Sequence, residues 1–357
     1  MSATFAERRA VAPDRAGYST EVALLGVGTV GTALLARLTR LQPALRLVSV
    51  ANSRRCLRSS TGLAAASARE QLASGAPQRL HRVADTFSRA GIVIDATASS
   101  EVADWHARWL EQGLIVVSAN KAGTGGSLAN YRAIAKNGPR YGDAATVGAG
   151  LPLLRSLRDL RAGGDCIRGI AGVLSGSLAW LFNRYDGMRP FSELVREARA
   201  LGYTEPDPRL DLSGQDVKRK LLILARNAGF ALEEDAVEIE SFLPDRLRDA
   251  DVGEVDNALS TLDAPLRERF QAAYKLGRRL RFIARLDGEG RARVGLEALE
   301  PDDPLASGAG CDNRVALWSC RYSGQPLLIQ GPGAGAEVTA AALLDDALRL
   351  SASARLS

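Results

Sequence analysis

Two packed units are the fold class that this sequence predicts. The first is a doubly wound parallel α/β sheet, and the second is an α+β unit with helices on one side of a mixed sheet. Three observations lead there. Apolar strands alternate with amphipathic helices from Val22 to about residue 150, which is the pattern of a parallel sheet. Past that point the alternation gives way to a helix-rich stretch and then to hairpin-like strands. The chain is 357 residues long, which suits two domains with cores that need no disulfide staples. We divide it into a tail over 1–20, a first domain over 21–150 that takes back the segment 331–357, and a second domain over 151–330.

In order along the chain, "EVALLGVGTVGTALLARLTRL" (21–41) reads strand, tight glycine turn, helix. "LRLVSVANS" (45–53), "AGIVIDATASS" (90–100) and "LIVVSANKAG" (114–123) are the next strands. "EVADWHARWLEQG" is a helix closed by Gly113, and the Ala/Ser-rich stretch 59–76 a loop or loosely packed helix. "GAGLPLLRSLRDLRAGG" (148–164) is a glycine turn entering a helix, and "LSGSLAW" (174–180) is another. A long acidic helical region runs to about 276. "LRFIARLDGEGRARVGLEAL" (280–299) is a hairpin around Asp-Gly-Glu-Gly, "NRVALWSCRY" and "PLLIQ" are further strands, and "GPGAGAEVTAAALLDDALRLS" (331–351) is a glycine turn and final helix.

Composition removes several function classes. No run of 18 apolar residues offers a membrane span, and "MSATFAERRAVAPDRAGY" lacks an apolar signal core, so a cytoplasmic protein is expected. Cys56, Cys166, Cys311 and Cys320 show no metal-like spacing and are expected as free thiols. Two histidines, His81 and His106, argue against a histidine metal site. The net charge of +5 is spread along the chain, so nucleic acid is not an expected partner. Of 46 basic residues only Lys121, Lys136, Lys218, Lys220 and Lys275 are lysine. Lysine can give up its proton at moderate pH and arginine cannot.

The fingerprint Gly26-Val27-Gly28-Thr29-Val30-Gly31 follows a strand and opens a helix, which is where a dinucleotide pyrophosphate binds in a Rossmann-type sheet. The acid that would hold a ribose 2′-hydroxyl is replaced by Asn52, Ser53, Arg54 and Arg55. That exchange favours NADP, with NAD as the alternative; both arginines could instead be solvated surface charges. Thr97, Ser99 and Ser100 end the third strand beside the cofactor, and Lys121 ends the fourth, in the crevice or snorkelled at the surface. Ser175, Gly176 and Ser177 offer backbone donors for an anion, or a helix cap. In "LGYTEPDPRLDLSGQDVKRKLLILARNAG" (201–229), Ser213 and Asp216 match a capping pattern, while Asp216 and Lys220 share one helix face at the border of an apolar stripe. They are either a surface ion pair or a proton-exchanging site.

That segment, with "VVSANKA", "ATVGAGLPLL", "GVLSGSLAWLFN" and "GAGAEVTAA", resembles the homoserine dehydrogenase family from about Val22 to Leu350, most closely the dehydrogenase half of bifunctional aspartokinase–homoserine dehydrogenases. The resemblance implies interconversion of L-homoserine and L-aspartate 4-semialdehyde with a nicotinamide cofactor. It implies Lys220 as proton donor or acceptor, Asp216 as positioning it and the substrate, and Lys121 as the second lysine. It implies Glu205 on the substrate ammonium group, with Asp211 and Tyr203 in the same pocket, and Gly202 and Gly335 lining the cofactor. The carbonyls of Ala144, Val147, Ala149 and Leu151 match a sodium-like cation site. A homodimer or homotetramer is expected, without nucleic acid or membrane partners. The alternatives are a catalytically inactive dinucleotide sensor and another Rossmann oxidoreductase acting on a small amino acid. No kinase half is seen, and only "SASARLS" follows the final helix. Threonine is therefore expected to act at most as a weak competitor.

Overall fold

The computed structural model of the protein describes residues 20–42, 44–308 and 310–354. The tail expected over 1–20 lies outside them except for Thr20, as do residues 355–357 of the returning segment. The strands are β1 (Thr20–Leu25), β2 (Leu45–Ala51), β3 (Arg55–Arg58), β4 (Ala76–Pro77), β5 (Ile92–Asp95), β6 (Ile115–Ser118), β7 (Tyr141–Gly142), β8 (Ile167–Val173), β9 (Val237–Ile239), β10 (Arg279–Leu286), β11 (Ala292–Leu299), β12 (Asn313–Ser319) and β13 (Leu327–Gly331). The helices of eight residues or more are α1 (Thr29–Leu41), α2 (Leu128–Ala135), α3 (Leu153–Ala162), α4 (Gly176–Arg184), α5 (Phe191–Ala200), α6 (Gln215–Ala228), α7 (Asp263–Lys275) and α8 (Ala336–Ala354).

The first sheet has the order β4-β3-β2-β1-β5-β6-β7. From β2 to β7 the pairs are parallel, with Leu24 beside both Val50 and Ile94. β3 and β4 pair antiparallel at the edge. The central strands read as unbroken apolar runs because both faces are covered. One face carries Leu34, Leu35 and Leu38 of α1 together with Ala340, Leu343, Leu344 and Ala347 of α8. The returning helix therefore packs in the first domain. The strand order reverses between β1 and β5, and a crevice forms outside their carboxyl ends.

The second sheet has the order β13-β12-β8-β10-β11-β9 and is antiparallel except at β11–β9. Its larger core holds α3 to α6, and Leu221, Ile223 and Leu224 of α6 are fully buried. Truncating one such leucine to alanine costs roughly 2–5 kcal/mol. The other sheet face carries a smaller cluster built from Ala171, Ile283, Ala316, Leu305 and Ala306, so a loop covers part of it.

Three elements differ from the expectation. The helix expected over 101–113 is two short ones, Ser100–Asp104 and His106–Glu111, joined by a tightened turn in which Trp105 N–H bonds the Val102 carbonyl. The acidic region before 276 is not one helical block. It contains β9 and a series of short turns, because Pro244 and the acidic residues around it supply no helical apolar stripe. The S-x-x-D cap on α6 does not form: Ser213 Oγ donates to the Leu210 carbonyl, and Gly214 takes the N-cap at φ +71. A Cβ there would also strike the Phe282 ring at 2.7 Å.

Candidate active site

Between the two units lies a cleft of about 980 Å³. Its first wall is the glycine turn after β1 and the ends of β5 and β6, represented by Thr29, Val30, Thr97 and Lys121. The turn is built as a close-approach loop. Gly26 sits at φ +93, and a Cβ on Gly31 would lie 1.9 Å from the Gly26 carbonyl oxygen. A Cβ on Gly28 would meet nothing within 4 Å, so that backbone is open to a ligand. No side chain caps α1 and no acid sits in its first turn, which leaves its N-terminal N–H groups for an anion. These residues fit a dinucleotide pyrophosphate.

Opposite stands the start of α6. Asp216 bridges two lysines: its Oδ2 lies 2.8 Å from Lys220 Nζ and its Oδ1 lies 3.2 Å from Lys121 Nζ. Lys220 is 8% exposed and donates a second bond, of 2.8 Å, to the Leu174 carbonyl. Two of its three N–H donors are thus fixed, and the third is left for the cleft that Lys220 lines. Asp216 is half exposed. Withdrawal from water opposes its ionisation, but Lys220 and Lys121 outweigh that and pull its carboxyl down to about 2. The trio carries a net positive charge and lines the cleft.

The loop before α6 supplies the other wall. Glu205 lines the cleft with its carboxylate unpaired among the described residues. Asp211 is not free: its Oδ1 accepts from Ser177 Oγ at 2.8 Å and its Oδ2 from the Glu205 N–H at 2.8 Å. It shapes the loop. Tyr203 stacks on Trp180 with ring centroids 5.1 Å apart, and Gly202 turns the chain beside it at φ +75. Ser175 caps α4 through the Leu178 N–H and meets Ser177 Oγ at 2.9 Å. Both hydroxyls are committed to the protein, while the N–H groups of Gly176 and Ser177 have no acceptor among the described residues. Gly335, at φ +121, closes the cleft from the turn before α8.

Several expected residues are placed elsewhere. Asn52 Oδ1 accepts from the N–H groups of both Arg54 and Arg55, so it holds a turn rather than facing a ligand. Arg55 is committed to the Gly75 carbonyl at 2.8 Å. Of the pair, Arg54 alone keeps a guanidinium without a partner among the described residues, and Ser53 beside it is exposed. Ser99 caps the following short helix through the Val102 N–H, and Ser100 lies in that helix's first turn. Neither lines the cleft. The loop 144–151 turns through Ala149 at φ +52, and the carbonyls of Val147 and Ala149 accept no bond from a described residue. The Leu151 carbonyl already accepts from the Leu153 N–H at 2.8 Å, which leaves it one lone pair, and Ala144 sits in a short 3-10 turn. Among the described residues no three His, Cys, Asp or Glu side chains gather as a metal cluster.

Sequence reasoning overlooked a sealed polar network behind the first wall. Asp95, wholly buried, takes bonds from His106 Nε2 at 2.9 Å, Asn120 Nδ2 at 2.9 Å and the Thr97 N–H at 2.8 Å. The Tyr141 hydroxyl lies 3.0 Å from His106 Nδ1. Burial, with Asp143 and Asp95 adding to it, pushes the Tyr141 phenol well above its ordinary range, so it stays a donor. That pattern fits the Nε2–H tautomer of His106. Through Asn120 the network fixes the strand end that carries Lys121. Arg226 was overlooked too. It is buried on α6 and donates to the carbonyls of Thr124, Gly126 and Leu232, tying the second domain to the loop after Lys121. The sequence signals were a lone carboxylate closing "IVID" and a lone arginine inside an apolar helix face.

With that geometry in place, the likeness to known proteins is specific. A family model described as homoserine dehydrogenase matches residues 152–348. A second, described as homoserine dehydrogenase, NAD binding domain, matches residues 26–144. The chain is 40% identical to the bifunctional aspartokinase/homoserine dehydrogenase 2 of Escherichia coli over 94% of its own length and 44% of that protein. It thus spans less than half of that bifunctional relative. It is 35% identical to a homoserine dehydrogenase of Emericella nidulans, over 92% of this chain and 97% of that one. A crystal structure of a Candida auris protein of unknown function superposes with a TM-score of 0.86 at 34% identity, covering 93% of this chain and 98% of the other.

Proposed function

The chain belongs to the homoserine dehydrogenase family of nicotinamide-dependent oxidoreductases, and from that premise we propose that it interconverts L-homoserine and L-aspartate 4-semialdehyde, with NADP preferred and Lys220 exchanging the proton. The observation that carries this reading is Asp216 bridging Lys121 and Lys220 across the cleft.

The nicotinamide, when bound, takes or gives the hydride at the substrate carbon. The chain's own groups do the rest. Toward the aldehyde, Lys220 as the neutral amine takes the hydroxyl proton on its cleft-facing lone pair and becomes the ammonium; toward the alcohol, that ammonium returns the proton to the same oxygen. Asp216 and the Leu174 carbonyl hold Lys220 in one rotamer, so the proton moves along a fixed line. Lys121 adds positive charge where the oxygen is most anionic. Glu205 faces the substrate ammonium group, and the N–H groups of Gly176 and Ser177 face its carboxylate. This pairing of an acid with donors suits a zwitterion. Gly26 to Gly31, Thr97, Gly202 and Gly335 line the cofactor.

Arg54 supports NADP, since its side chain is free to meet a 2′-phosphate beyond β2. Arg54→Ala should weaken NADP about tenfold, within the range of a charge-assisted contact, and leave NAD unchanged; equal loss for both cofactors would remove Arg54 from that role. The free carbonyls of Val147 and Ala149 support a monovalent cation beside the cleft, tested by turnover in sodium against a bulky organic cation. A homodimer or homotetramer is supported by the open edges of the second sheet at β9 and β13, tested by light scattering. We extend the reading to a cytoplasmic protein of threonine and methionine biosynthesis, tested by fractionation and by complementation of a homoserine auxotroph. The direct test is turnover of a panel of amino and hydroxy alcohols with each cofactor. Homoserine should lead the panel. A different preferred alcohol would favour another amino-acid oxidoreductase, and no turnover would favour a cofactor-binding sensor.

A further inference from the structure

Away from the cleft, at the far ends of β8 and β12, two exposed cysteines face one another. β8 and β12 are antiparallel, with a bulge at Arg168 and Ile167 opposite Ser319, so Cys166 and Cys320 come next, just past the strand ends. The Cys320 N–H bonds the Cys166 carbonyl at 3.0 Å, and the Cys166 N–H and thiol both hydrogen-bond the Cys320 thiol, so the two side chains adjoin. A disulfide bridges Cα atoms roughly 4.4–6.8 Å apart, the range in which cross-strand neighbours fall. Both thiols are free and exposed. Arg168, at the bulge, donates from Nε to Cys320 Sγ at 3.4 Å. The remaining charges here are Asp165 and Arg321. Asp165 accepts from Ser319 Oγ and the Arg321 N–H and lies 3.9 Å from the Arg321 guanidinium, which offsets its negative charge. Neither cysteine lines the cleft.

We propose that Cys166 and Cys320 form a thiol–disulfide exchange site, with Cys320 the attacking and Cys166 the resolving thiol, and small-molecule disulfides of the glutathione class as its oxidant. The steps balance. The Cys320 thiolate attacks one sulfur of the small disulfide, and its partner leaves as a thiolate and is protonated by water. A mixed disulfide now stands on Cys320. Cys166 loses its proton and attacks Cys320 Sγ, expelling the second small thiol. Two protein thiols and one small disulfide thus become one protein disulfide and two small thiols. The Arg168 guanidinium favours the first step, because its hydrogen bond pulls the Cys320 thiol below its ordinary range against weak desolvation. The product staples the ends of β8 and β12 outside the cleft.

The full chain, reduced and then incubated with oxidised glutathione, tests this by intact mass and peptide mapping. The wild type should lose two hydrogens and yield a Cys166–Cys320 linked peptide, reversed by dithiothreitol. Cys166→Ser should instead stop at one glutathionyl group on Cys320. Cys320→Ser should form neither product at the wild-type rate. Arg168→Gln should slow the first step about three- to tenfold while leaving the fold intact by circular dichroism. Adducts confined to Cys311, a disulfide between chains, no product at all, or an Arg168→Gln rate equal to wild type would each overturn the assignment.

Discussion

Asp95 and Asp216 each gather cationic or donor groups around one carboxylate, and their surroundings give them opposite work. Asp95 has no exposure, and its three bonds come from His106, Asn120 and a backbone N–H within its own domain. Asp216 is half exposed, and its two lysines come from different domains. A sealed, satisfied network fixes backbone and cannot exchange protons with a ligand. An open cluster with a donor valence to spare can. The difference teaches that position relative to the cleft, rather than residue type, separates framework from chemistry.

Substitutions can break that contrast. The largest effect is expected at the open cluster. Lys220→Ala should lower kcat about 100- to 10,000-fold, the range for losing a general acid–base group, with cofactor affinity and unfolding midpoint near wild type. Near-wild-type turnover would restore Lys220 to a simple ion pair. At the sealed cluster the effect should fall on stability. Asp95→Ala strands the donors of His106 and Asn120 and leaves a cavity, which should cost about 2–4 kcal/mol in urea unfolding. The folded variant should lose at most about tenfold in kcat, through the looser hold of Asn120 on the strand end that carries Lys121; a catalytic loss without a stability loss would erase the distinction.

Asp216→Asn sharpens the contrast further. It keeps the shape but removes the anion that holds both lysines. We expect kcat to fall about 10- to 100-fold, from misplacement of the proton donor. The sign of the acid limb follows from Asp216 itself. Its folded value of about 2 lies below the ordinary 3.8, so its contribution to stability is complete above pH 4 and is lost as pH falls through about 2. Asp216 protonation therefore does not set any activity loss seen nearer neutrality. Turnover by Asp216→Asn equal to the wild type would show that the ion pairs leave Lys220 unaffected.

Local features carried most of the fold. The strand–turn–helix at 21–41 and the hairpin around residues 287–290 are set by short-range periodicity and glycine placement. The returning α8 followed the same logic. Asp216 and Lys220 were legible because a helix puts i and i+4 on one face. Lys121 meeting Asp216 was not, since the two lie far apart in sequence and on different domains. The Arg54/Arg55 pair shows a finer limit. Both read as cations at one strand end, yet Arg55 reaches across to Gly75 on a neighbouring turn. Ser213 looked like a cap because the pattern is common; the left-handed turn at Gly214 moved the cap by one residue. The network of Asp95, His106, Asn120 and Tyr141 has no sequence period, because each member comes from a different element.

The central claim is that Lys220 moves a proton, beyond supplying charge. Lys220→Arg separates the two, because arginine can keep the pairing with Asp216 but does not release its proton in a protein. Steady-state turnover of L-homoserine by that variant is the most direct test. The account predicts a loss of at least about 100-fold in kcat, with the Michaelis constant for NADP unchanged. Turnover within about threefold of wild type would contradict it, since a fixed positive charge would then suffice.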